Sequence, residues 1–158
     1  MTFATAGILL GMASCNEIAP VQKAESSRLV SLKDAATNGR MEDNLKITIG
    51  PKTFKATFEG NDTVAKLKEL MPLTLEMSEL NGNEKYYHLS SRLPTDEISP
   101  GTIQNGDIML YGDNSLVLFY KTFKTSYSYT GLGRVDDPSG LADAVGTGDI
   151  SVAFELEN

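Results

Sequence analysis

Tryptophan is absent from this sequence, and cysteine and histidine occur once each. The one cysteine, Cys15, cannot close an internal disulfide, and no Cys/His cluster exists to hold zinc. With His88 the sole imidazole, a histidine-based metal site needs carboxylates to complete it, and no Ser-His-Asp set can be named. Asp136, Asp137, Asp143 and Asp149 form an acidic series, but their spacing is not that of an EF-hand loop. A glycine-rich phosphate loop is also missing. The sequence therefore predicts neither a metal nor a cofactor. No apolar run reaches the roughly 18–20 residues of a membrane-spanning helix. Positive charge is scarce: 14 Lys and Arg stand against 21 Asp and Glu, for a net charge of -7. An acidic chain without basic runs is repelled by phosphate backbones and anionic headgroups, so nucleic acid is not an expected partner.

What is present suffices for one domain plus an extension: 158 residues, 41% hydrophobic and 22% charged. Residues 3–14 carry no charge and have the length and composition of a secretory leader's apolar core. They end in Met12-Ala13-Ser14-Cys15, and small residues directly before a cysteine resemble the bacterial lipobox, whose cysteine is diacylated. Two features depart from that pattern: Met12 stands where Leu is usual, and no Lys or Arg precedes the apolar core. The expectation is a leader over 1–15, lipidation at Cys15, and export to the bacterial cell envelope, facing the periplasm or the surface. The acyl chains alone would hold the membrane. Residues 16–43 are polar and lack aromatics, which predicts a flexible tether.

From residue 44 to 158 the pattern is that of a folded, mostly β domain. Leu45, Ile47 and Ile49 alternate with Lys46 and Thr48, and Phe54, Ala56 and Phe58 with Lys55 and Thr57, predicting a hairpin about Gly50-Pro51. Asn61, Asp62 or Thr63 can cap a helix carrying Val64, Leu67 and Met71, which Pro72 ends. Strands over 73–80 and 84–90 flank Asn81-Gly82, a strong tight-turn signal. Residues 91–106 form the longest loop, where the edge of a site is expected. Strands over 108–111 and 116–120 are apolar on both faces, as central strands are. A Tyr- and Thr-rich strand over 125–134, weakened by Gly131 and Gly133, a helix starting at Asp137-Pro138 and stopping at Gly146, and a last strand over 150–156 complete the chain. Eight short strands with two short helices predict a closed barrel, since closure removes exposed edges.

That element order is the one found in the cyclophilin barrel. The stretches Leu45-Lys46-Ile47-Thr48-Ile49-Gly50, Gly106-Asp107-Ile108-Met109-Leu110-Tyr111, Leu116-Val117-Leu118-Phe119-Tyr120 and Leu132-Gly133-Arg134-Val135 resemble the bacterial cyclophilin-like fold family. The resemblance covers about residues 44–156 and rests on structural motifs. It implies a closed eight-stranded barrel with two short helices and raises peptidyl-prolyl isomerisation as an activity. The chain departs from true cyclophilins where their chemistry sits. The Phe-Met-x-Gln-Gly-Gly-Asp segment and the Gly-Ser-Gln-Phe-Phe strand are both missing, so no catalytic residue carries over.

The candidate residues follow from chemistry alone. Arg134 could donate to a twisted prolyl amide if an apolar pocket held the ring, or simply pair with Asp136 or Asp137. His88 shares a strand face with Tyr86 by period two. Arg92 opens the long loop and could meet an anionic ligand, or remain solvated. Tyr127 and Tyr129, beside Tyr120 and Phe123, could line a groove or cap the barrel interior. The leading expectation is a non-catalytic module binding a peptide, protein or small ligand in the envelope. A divergent prolyl isomerase using Arg134 and a purely structural lipoprotein are the rival readings.

Overall fold

The computed structural model describes residues 44–157; the leader, Cys15 and the 16–43 tether lie outside the described residues. Strand β1 (Asn44–Ile49) turns at Gly50 into β2 (Lys52–Phe58), and the pair buries Leu45, Ile47, Ile49, Phe54, Ala56 and Phe58 on one side. Helix α1 (Asp62–Lys68) is capped by Asn61, whose Oδ1 accepts from the Val64 N–H at 2.9 Å. It turns Val64 and Leu67 into the core and stops at Lys68, short of Pro72. Strand β3 (Leu73–Leu80) returns through Asn81 and Gly82, both at positive φ, to β4 (Glu84–His88). Next come β5 (Thr102–Ile103), β6 (Asp107–Tyr111), β7 (Ser115–Phe119), β8 (Phe123–Lys124) and β9 (Thr130–Val135). Helix α2 (Leu141–Val145) and β10 (Ile150–Leu156) end the chain.

Eight of these strands close a barrel in the order β1-β10-β3-β4-β7-β6-β9-β2, as the pattern predicts. The remaining two, β5 and β8, pair in a small ribbon absent from the sequence reading. Three local expectations need correction. Residues 125–129 leave the barrel, and β9 starts only at Thr130; Tyr129 instead exchanges both backbone hydrogen bonds with Ile98, at 2.8 and 2.9 Å. Asp137-Pro138 does not open the last helix. The Asp137 carboxylate accepts from the Ser139 N–H at 3.0 Å in a local turn, and α2 starts after Gly140, which has φ 77°. The glycines of β9 do not weaken that strand but permit it. A Cβ on Gly133 would lie 2.4 Å from the Thr57 carbonyl oxygen, so only glycine lets β2 and β9 meet.

The barrel is filled by alternating residues such as Ile47, Met77, Leu110, Leu118, Leu132 and Phe154, all within 1% of full burial. A second apolar layer lies outside it. Strand β7 is buried on both faces: Leu116 and Leu118 join the main core, while Val117 and Phe119 meet Ile103 and Tyr129. Ring contacts bind this layer, with Phe119 5.6 Å from Tyr129 and 5.7 Å from Phe123. Burying one such side chain stabilises by about 1.5–3 kcal/mol. The long loop is therefore packed on the barrel wall. It is anchored where Thr63 Oγ1 donates to the Pro94 carbonyl at 2.8 Å and the Asp96 N–H to Thr130 Oγ1 at 3.0 Å.

One buried charge ties the barrel to its last connection. Lys85 of β4 is fully buried, and its ammonium donates to the Glu79 carboxylate, to the Gly148 carbonyl at 2.6 Å and to the Gly146 carbonyl at 3.1 Å. All three ammonium protons thus find an acceptor, which is what makes a buried lysine tolerable.

Candidate functional site

Strand β4 sends Lys85 and Tyr87 to one face and Glu84, Tyr86 and His88 to the other. The second set looks away from the barrel, and the neighbouring strand β7 adds Ser115 and Val117 in register, opposite His88 and Tyr86. Tyr111, at the end of β6, and the irregular segment before β9 wall this strip on its far side. Between them lies a cavity of about 380 Å³, which Leu80 and Asn81 of the β3–β4 turn complete. Two broader depressions, beside α1 and beside α2, are more open to solvent and carry no comparable aromatic wall.

Rings dominate the cavity. Tyr86 meets His88 edge to face with centroids 5.3 Å apart. Tyr111 lies 6.0 Å from Tyr127 at 84° and 5.6 Å from Tyr129. Tyr129 is buried and its phenol is pushed up by that burial, whereas Tyr111 and Tyr127 stand at the mouth, 47% and 61% exposed. His88 Nδ1 and Ser115 Oγ share a hydrogen bond of 2.7 Å. Glu84 is only 9% exposed, and its carboxylate makes no hydrogen bond or ion pair among the described residues. Burial holds its carboxyl above the usual carboxylate range, and the nearby charge of Glu79 adds to the shift. Ser115, His88 and Glu84 do not form a catalytic triad. Glu84 and His88 are four strand residues apart, about 13 Å, too far for the carboxylate to orient the imidazole.

The structure thus brings Tyr127, Tyr129 and His88 into one site and leaves the two arginines out of its lining. Arg92 is exposed and pairs with Asp113 at 2.6 Å. Arg134 pairs neither with Asp136 nor with Asp137. Its Nε and Nη2 both reach Asp107 Oδ1, at 2.7 and 2.6 Å, while Asp107 Oδ2 accepts from the Gln104 N–H at 2.7 Å. Asp136 accepts instead from the Thr57 hydroxyl at 2.8 Å. The 91–106 loop contributes no residue to the cavity lining but positions Tyr129 through Ile98. The sequence reading did not single out Glu84, Tyr111 or Ser115. For Glu84 a signal existed, since it shares the alternation of Tyr86 and His88. For Tyr111 and Ser115 none did, because only the β6–β7 and β4–β7 pairings bring them here.

A family model described as the cyclophilin-like family matches residues 47–155. No curated protein matches the chain. Among solved structures, the solution structure of a hypothetical protein from Archaeoglobus fulgidus is similar, with a TM-score of 0.56 and 19% identity over 75% of this chain and 98% of that one. At that identity the likeness speaks for the fold alone.

Proposed function

The chain belongs to the cyclophilin-like family, and from that premise we propose that its barrel is a non-catalytic binding module whose ligand sits in the aromatic cavity beside β4. The observation that carries this reading is the convergence of four tyrosines, His88 and the unpartnered Glu84 on one concavity. A cavity of about 380 Å³ falls within the range of small-ligand sites, which pair apolar walls with a few polar groups. Supporting this over an isomerase is the position of Arg134, which commits its guanidinium to Asp107 and does not line the cavity.

The test is a screen of small fragments against the full chain by NMR. Binders should shift the ring signals of Tyr111 and Tyr127 and the amides of Tyr86 and Val117. Binders that shift only other regions, or none at all, would refute the reading. Exchange spectroscopy on Xaa-Pro peptides checks the isomerase alternative. Uncatalysed exchange takes tens to hundreds of seconds, so acceleration that Arg134→Ala abolishes would replace a binding module with an enzyme.

The cell envelope is the proposed site of action, on the strength of the leader-like residues 1–15 alone. Membrane-fraction protein should begin at an acylated Cys15, and Cys15→Ala should release it. Wild-type protein that stays soluble with its first fifteen residues intact would overturn this location and leave the cavity reading untouched.

A further inference from the structure

The cavity contains one carboxylate and neither lysine nor arginine. Glu84 is nine-tenths buried there, and no donor of the described residues reaches it. A mostly desolvated carboxylate without a donor is costly, and a cation seated beside it offsets part of that cost. The other walls favour the same sign of charge. Aromatic faces are negative, and a cation within about 6 Å of a tyrosine centroid is attracted to it, more so once desolvated. Tyr86, Tyr111, Tyr127 and Tyr129 supply four such rings. Glu79 lies close enough to act on Glu84 through its charge, and the chain as a whole carries -7.

We propose that this cavity binds a substituted ammonium group, held between the tyrosine rings and the Glu84 carboxylate. The inference rests on the binding-module reading and names its ligand class. A metal ion is a poorer fit, because the described residues contain no group of three His, Cys, Asp or Glu side chains able to hold one. An anion would meet the Glu84 carboxylate without a lysine or arginine to offset it. An alkylated, weakly hydrated cation uses both features, its apolar groups on Val117 and Leu80 and its charge on the rings and the carboxylate.

Two matched pairs test it on the full chain, by calorimetry and by tyrosine ring shifts: choline against its uncharged carbon isostere dimethylbutanol, and butylammonium against butanol. At least one cation should bind about tenfold more tightly than its isostere. Glu84→Gln should remove most of that preference. Tyr127→Leu, at a residue 61% exposed, should weaken the cation more than its isostere. Alcohols that bind as tightly as their cations in both pairs overturn the ammonium assignment and leave the binding module standing. So does a failure of both cations while uncharged fragments shift the same rings. If neither the four probes nor any fragment touches the cavity, the ammonium assignment and the module reading fall together.

Discussion

Lys85→Met is the substitution that most directly probes how the barrel is held together. Methionine keeps much of the apolar stem of a side chain that is fully buried, so the change isolates the ammonium. Three acceptors lose their donor: the Glu79 carboxylate and the carbonyls of Gly146 and Gly148. Removing one partner of a buried pair destabilises by about 3–5 kcal/mol. Here the penalty is smaller, because the Glu79 side chain is 21% exposed and both glycines are open to water. Glu79 also keeps two donors, the Tyr120 hydroxyl at 2.8 Å and the Gly82 N–H at 2.9 Å. A loss of about 2–4 kcal/mol is therefore expected, or roughly 10–15 °C in Tm for a domain of this size. Urea unfolding of wild type, Lys85→Met, Glu79→Gln and the double variant measures it. In the cycle the double variant should lose less than the two single losses summed. The Glu79 carboxyl gives a second readout. Burial by itself would raise it, but hydrogen bonds from Lys85 and Tyr120 hold it below its ordinary value, so Lys85→Met should let it climb. A destabilisation under about 1 kcal/mol, with additive single variants, would refute the claim that this buried charge ties β4 to the segment after α2.

Gly133→Ala should destabilise the barrel by several kcal/mol, of the order of a severe overpacking, because its Cβ meets β2 backbone that cannot swing away; a thermal melt within about 2 °C of wild type would contradict it. Glu84→Gln tests the buried carboxyl through pH. Its folded value lies above the ordinary 4.5, so the unfolded chain ionises first and wild-type stability falls as pH rises through that window. The variant should gain over wild type at neutral pH and lose the advantage below about pH 4, as denaturant titrations at both pH values would show. The Tyr120 phenol, pushed up to about 12 by burial and its hydrogen bond to Glu79, should ionise late in an ultraviolet titration, and Glu79→Gln should bring it down. By the same sign rule, the fold should lose stability between about pH 10 and 12 as the unfolded chain's tyrosines ionise.

The strands were legible wherever one face is wet. Ile47, Phe54 and Val152 alternate with polar neighbours, so β1, β2 and β10 announce their period, and Asn81-Gly82 marks its own turn. Closure followed from the count of strands and the need to hide edges. The aromatic cavity was only half legible. His88 and the two tyrosines stood out by chemistry, but Glu84 did not, because its burial comes only from β7 and the outer layer. Arg134 shows the same limit, since two aspartates follow it in sequence and the carboxylate it grips, Asp107, lies 27 residues away.

Composition, charge sign, strand periods and turn residues are local properties, and the sequence by itself determined a mostly β barrel with two short helices and a net charge of -7. Which face of β4 becomes a site, which carboxylate is left without a donor and which rings surround it were decided by tertiary structure. Cross-strand register and the packing of residues 91–106 and 123–129 over the barrel wall set those distances. Such pairings between distant segments leave no periodic trace in a single chain.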